Sequence, residues 1–266
     1  MILPFSKCHA NGNDFILTHS VDFPKEARTE TIIKRLCCRH TGIGANGLFV
    51  ISPSEKYDFM LDYYNSDGSW ERLCANGSRC SVLFMRQCGS IKNMAVFLAG
   101  DGPHSAEILT NGNVKMQMLP PKYRSDLISP EGCDGYFVDS GARHFVCESA
   151  NLSNDFVYDN GHAVRNSHIF QPEGINVNFY TVKGKNQVYI KTYEKGVEEV
   201  MQSCASGSTA VVFHLAKKKR IYAPVLVRSS GGNLTFYFNE DCDDIWTEGP
   251  AEILFSGNFE LGLLSI

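Results

Sequence analysis

Nowhere in the chain does an apolar run approach the roughly 18 residues that a membrane-crossing helix needs, so no membrane partner is expected. The N-terminus, MILPFSKCHANGNDF, has no basic start, no sustained apolar stretch and no small-residue cleavage site. A secretory leader is therefore not expected, and the chain is read as cytoplasmic. No Cys-x-x-Cys occurs among the ten cysteines, and Cys37–Cys38 have no second pair at ligand spacing, so no metal site is expected. In a reducing compartment the cysteines are read as free thiols, most of them small buried hydrophobes. Excess positive charge is also lacking: a net charge of −4 gives no reason to expect nucleic acid. The one dense basic run, KKKR at 217–220, is read as a cationic helix end that complements the helix dipole.

What is present is a soluble globular composition and an internal echo. The 266 residues suit one large domain or two of about 130 each. CANGSRC at 74–80 is echoed by CASGSTA at 204–210. Before the first, Phe59, Leu61 and Tyr63 alternate with Asp58, Met60 and Asp62, which predicts a strand, and NSDGS then predicts a turn. Before the second, Val188, Ile190 and Thr192 alternate likewise and EKG breaks the run. After each cysteine the spacing turns helical. Cys80, Leu83, Phe84 and Cys88 share a face with Gly89 as stop, while TAVVFHLAKKK is apolar nearly all round and predicts a central buried helix. GNDF at 12–15 is also echoed by GARHF at 141–145. Two α/β halves related by pseudo-duplication follow, with the change placed in LPPKYRSDLISPEG.

A helix start carries unpaired N–H groups and a positive dipole end. Small residues there let a carboxylate approach the backbone. The same field favours thiolate, so a cysteine at that point can fall below its ordinary pKa of about 8.5. Two such starts facing one substrate would place a sulfur on each side of a carbon next to a carboxylate. One thiolate would remove its proton and the opposite thiol would deliver one, inverting the centre without a cofactor.

These residues resemble the diaminopimelate epimerase family. Its motifs appear here as Asn65-Ser66-Asp67-Gly68-Ser69, Cys74-Ala75-Asn76-Gly77-Ser78-Arg79-Cys80, His9 through Phe15, Gly42 through Leu48, and Gly249-Pro250-Ala251. The resemblance implies an α/β fold of the α+β type. It has two pseudo-symmetric domains, each a curved mixed sheet around a central helix, with the active site in the cleft between them. The domains would be 1–122, rejoined by a final strand at about 253–266, and 123–252. Cys74 and Cys204 would be the acid–base pair, Cys204 abstracting from the LL substrate, with His144 and Glu194 supporting them. Substrate would be bound by Asn13, Asn65, Ala75, Asn76, Gly77, Asn176, Glu194, Lys195, Ala205, Ser206 and Gly207. The partner would be a small amino acid, diaminopimelate; no cofactor is implied, and a homodimer is left open.

Three departures stand out. Ala75 and Ala205 replace the family's glycines after each cysteine, Ala142 replaces an asparagine, and Lys195 replaces an arginine that would grip the distal carboxylate with two bonds. A broader amino-acid racemase, accepting glutamate, is therefore a second reading, and a non-catalytic ligand-binding member of the fold a third. Asn13, Asn65 and Asn176 also suit turns, His144 a hydrogen-bonded core, and Lys195 a solvated turn.

Overall fold

The computed structural model describes residues 1–264. The chain divides into two compact units, Met1–Met116 with the chain from Pro250 onward, and Gln117–Gly249.

The first unit opens with a hairpin of β1 (Ile2–Ala10) and β2 (Asn13–His19), closed by Asn11 and Gly12 at φ 52° and 77°. Two positive φ values at a two-residue turn match the right-handed twist of the strands it joins. Helix α1 (Glu30–Cys37) then leads to β3 (Gly47–Ser52), parallel to β2. Next come β4 (Phe59–Asn65), the short β5 (Trp70–Glu71), helix α2 (Ala75–Gln87), β6 (Met94–Ala99), β7 (Gly102–Ile108) and β8 (Val114–Met118), whose last two residues already belong to the second unit. In the sheet β4 is antiparallel to β3 and parallel to β6, and β7 joins β6 and β8.

The second unit repeats this order. It has β9 (Lys122–Tyr123), the hairpin β10 (Gly135–Asp139) and β11 (Arg143–Glu148), helix α3 (Asn154–Asn166), and β12 (Asn176–Val182) parallel to β11. Then come β13 (Gln187–Glu194), β14 (Glu199–Met201), helix α4 (Ala205–Lys217), β15 (Val225–Ser229), β16 (Gly232–Phe238) and β17 (Ile245–Gly249). Here β13 is antiparallel to β12 and parallel to β15, as β4 is to β3 and β6. The last strand, expected at about 253–266, runs as β18 (Glu252–Glu260) antiparallel to β1, followed by a short turn of helix at Leu261–Leu264. Its expected positions 265–266 lie outside the described residues.

Each sheet is buried on both faces where it counts. In β2 and β3, Phe15, Leu17, Phe49 and Ile51 alternate with Ile16, Leu48 and Val50. The second set packs with Ile33 and Leu36 of α1. Helix α2 is enclosed on the other side, touching β1, β2, β3, β7 and β18. The pattern recurs around α4, which touches β10, β11, β12, β16 and β17, with α3 covering the outer face through Val157 and Val164. A strand buried on both faces reads as a continuous apolar run, which is why LFVI at 48–51 shows no alternation. The KKKR run does end α4: Lys217 donates to the Asp241 carbonyl and Arg220 pairs with Glu148 at 2.6 Å. All ten cysteines are free thiols, but only five, Cys8, Cys37, Cys80, Cys147 and Cys242, are buried, fewer than expected from composition. Among the described residues no helix is long and apolar enough to cross a membrane.

The packing of α3 on β13 leaves no slack at Gly161, where an added Cβ would lie 2.5 Å from Cβ of Tyr193. Helix propensity alone favours Ala over Gly by about 1 kcal/mol. Overpacking against a strand costs typically ~1–3 kcal/mol and should win. Gly161→Ala is expected to lower the urea midpoint; an unchanged or raised midpoint would show that α3 can shift off the sheet.

Candidate active site

In the first unit, β4 ends at Asn65 and a turn through Gly68, at φ 90°, brings the chain to Cys74. Cys74 is the N-cap of α2, with φ −131° and ψ 104°. Ala75, Asn76 and Gly77 form the first buried turn behind it. Gly77 is required: a Cβ there would meet the Phe49 ring at 2.0 Å. Asn13 and Asn65 lie at the same sheet end as this helix start, since Gly47 pairs with Asn65 on one side and on the other with Phe15, two residues along β2 from Asn13. Asn65 is held by Tyr63, whose hydroxyl donates to its Oδ1 at 2.7 Å. Asn13 is buried, and its Oδ1 has no hydrogen-bond partner among the described residues.

In the second unit Cys204 caps α4 with φ −129° and ψ 105°, the same backbone as Cys74. Its sulfur accepts from the Gly207 N–H at 3.4 Å and lies 3.5 Å from Ser206 Oγ. Ser206 Oγ is in turn 3.0 Å from His144 Nε2, and Asn178 Nδ2 is 3.1 Å from His144 Nδ1. The amide of Asn178 is oriented by its other bonds: Nδ2 donates to the Phe145 carbonyl at 3.0 Å and Oδ1 accepts from Thr192 at 2.9 Å. Nδ1 of His144 is therefore the acceptor, and the ring proton sits on Nε2, directed at Ser206. That leaves the serine's own proton free for Cys204. His144 is fully buried, and burial pushes its pKa down to about 3, so it is a neutral donor rather than a base. Ser140 fixes the same turn by donating to the Ser206 carbonyl at 2.8 Å.

Asn176 does structural work. Its Nδ2 donates to the Arg143 carbonyl at 3.1 Å and its Oδ1 accepts from the Lys195 N–H at 2.9 Å, tying down the β13–β14 turn. Glu194 and Lys195 open that turn, both half-buried, with the Glu198 N–H bonded to the Glu194 carbonyl at 2.8 Å. Ala75 and Ala205 are 2% and 3% exposed, so their methyl groups are shielded from solvent.

Pairing the two units by register shows where they differ. Phe15, Phe49 and Tyr63 stand behind α2, Phe49 stacked on Tyr63 at 4.7 Å. The equivalent trio behind α4 is His144, Asn178 and Thr192. Aromatic packing supports one cysteine and a hydrogen-bonded polar chain supports the other. Sequence reading found His144 but missed Ser140, Asn178 and Thr192. The available signal was INVN at 175–178: asparagines two apart on one face of an apolar strand, hence buried polar groups that must be bonded.

His144 and His214 give the unit an acid sensitivity. Burial holds His214 at about 4 and His144 at about 3. The unfolded chain takes up protons at both near pH 6.5, where the folded chain does not. Stability is therefore full above about 6.5 and is lost as pH falls toward 4. Urea midpoints at pH 7.5, 6 and 5 should fall steadily, and the fall should be shallower in His214→Gln; a midpoint flat from 7.5 to 5 would contradict the buried neutral state.

The family model described as diaminopimelate epimerase matches residues 5–123 and 136–254. The diaminopimelate epimerase of Flavobacterium psychrophilum is 36% identical over 256 residues, covering 94% of this chain and 97% of that protein. That of Aquifex aeolicus is 34% identical, covering 96% and 97%. Among solved structures, a Bacillus anthracis phenazine biosynthesis protein of the PhzF family shares the fold with a TM-score of 0.77 at 14% identity, over 98% of this chain and 99% of that one. A hydroxyproline epimerase from Agrobacterium vitis does so at 0.75 and 13%, over 97% and 92%. At those identities the likeness concerns the fold. With both halves matched by the family model, the chain belongs to the diaminopimelate epimerase family.

Proposed function

We propose that the chain is a cytoplasmic isomerase that inverts the α-carbon of LL-diaminopimelate to the meso form by exchanging protons with Cys204 and Cys74. The observation that carries this is the pair of N-cap cysteines with matching backbone angles on two helices of equal length. The step balances without a cofactor. Cys204 as thiolate takes the α-proton, and the bond's electron pair moves into the adjacent carboxylate. The helix N–H groups receive the added negative charge. The Cys74 thiol then gives its proton to the opposite face, and the two sulfurs have exchanged roles. This requires the two sulfurs to address opposite faces of one carbon.

The surroundings of Cys204 suit the initiating base. Its sulfur receives the Gly207 N–H and the Ser206 hydroxyl, both of which favour thiolate. Binding is assigned to the helix starts and to Asn13, Asn65 and Asn76, with the Asn176-held turn carrying Glu194 and Lys195. Ala142 and Lys195 favour a second reading, a racemase that also accepts glutamate, because they weaken the expected hold on a distal group.

Cys74→Ala and Cys204→Ala should each cut stereoinversion by at least about a hundredfold, the scale of a lost proton carrier, while the thermal melt stays cooperative. Chelation should leave activity unchanged and neutral thiol alkylation should remove it. The same assay with glutamate separates the two substrate readings. Near wild-type turnover in either folded variant would refute the two-thiol reaction.

A further inference from the structure

Arg79 lies one turn into α2 and is fully buried. Its side chain folds back toward the helix start. Nη2 donates to Asn76 Oδ1 at 2.7 Å, Nη1 reaches the Ala75 carbonyl at 3.5 Å, and Nε has no hydrogen-bond partner. Among the described residues no carboxylate pairs with it; the groups that act on its charge are the thiols of Cys80 and Cys74. Burial lowers its pKa only to about 10, so it remains a cation at neutral pH. A buried cation without an acid partner is costly, and the positive end of a helix is the wrong end for it. Such a charge is matched when a neighbour becomes an anion. In the second unit the equivalent residue, Thr209, is uncharged, and its hydroxyl donates back to the Ala205 carbonyl at 2.8 Å.

Building on the two-thiol reading, we propose that Arg79 is a positioning residue that fixes Asn76 and supplies the standing positive charge that stabilises the Cys74 thiolate once the thiol has delivered its proton. It does for Cys74 what the His144–Ser206 chain does for Cys204. One cysteine is served by a charge and the other by a neutral relay.

Other ionisable groups stand on the elements around α2. Cys8 on β1 neighbours Cys80, His19 on β2 meets Phe84, and Tyr63 on β4 bonds Asn65. His104 on β7 is held by Asp101 at 2.9 Å, and Glu252 on β18 pairs with His9. Lys7 pairs with Asp14 across β1 and β2, and Arg39 also pairs with Asp14.

The test follows alkylation of each cysteine against pH with iodoacetamide, a neutral probe, read by peptide mass spectrometry, together with kcat and KM for diaminopimelate. In Arg79→Met the Cys74 midpoint should move up by about one pH unit or more, the Cys204 midpoint should stay, and KM should rise. Arg79→Lys should restore the Cys74 midpoint but not the full KM, since a single ammonium replaces the fork on Asn76. A folded Arg79→Met with an unmoved Cys74 midpoint overturns the proposal. Should that variant fail to fold, a Cys74 midpoint displaced in Arg79→Lys overturns it instead, and an undisplaced one with raised KM supports it. Wild-type protein that inverts neither diaminopimelate nor glutamate would refute the two-thiol reading, whereas the Cys74 midpoint tests Arg79 by itself.

Discussion

A helix that begins inside a protein must find partners for its first free N–H groups. Both units place this demand at the starts of α2 and α4, where the first turns are small, mostly buried residues following a cysteine. Sequence choice there is narrow. Gly77 and Gly207 have no room for a side chain, the first against Phe49 and the second with a Cβ 2.1 Å from Asn178 Oδ1. Ser78 and Ser208 turn their hydroxyls back to the carbonyls of Cys74 and Cys204, at 3.0 and 2.9 Å. The wrapping sheets, the covering helices α1 and α3 and the tight turns all serve to hold these two helix starts in place.

Duplication explains the shared frame, and substitution within it explains a division of labour. The strands behind α2 present aromatic rings, whereas those behind α4 present a histidine, an asparagine and a threonine at the same register. A buried polar chain is stable only when each member is bonded. His144, Asn178, Thr192 and Ser206 meet that condition, and the price is that His144 must stay neutral. An acid–base pair that exchanges roles at every turnover gains from two thiols whose proton affinities are set separately.

Much of the frame was legible in the sequence, because it follows from local periodicity. Alternation at Phe59, Leu61 and Tyr63 and at Val188, Ile190 and Thr192 marked β4 and β13, and the all-round apolar run after Cys204 marked α4. Gly89, at φ 74°, ends α2 where its position suggested. What could not be read was anything set by contacts between distant segments. The hydrogen bond from Asn178 to His144 spans 34 residues, and no local pattern announces it. Arg79 stood in a quoted motif, yet a charged residue on a helix reads as solvated until its enclosure is known. The roles assigned to Glu194 and Lys195 rest on motif likeness, while the structure ties their turn to Asn176.

The central claim is that two separate groups handle the proton, one on each face. Inversion of LL-diaminopimelate in deuterated water, stopped at low conversion, tests it directly. The account predicts meso product carrying one deuterium at the inverted carbon, with the recovered LL substrate still fully protonated there. Product that retains its original proton, or deuterium entering recovered substrate as fast as product, would mean that a single group serves both faces and would contradict it.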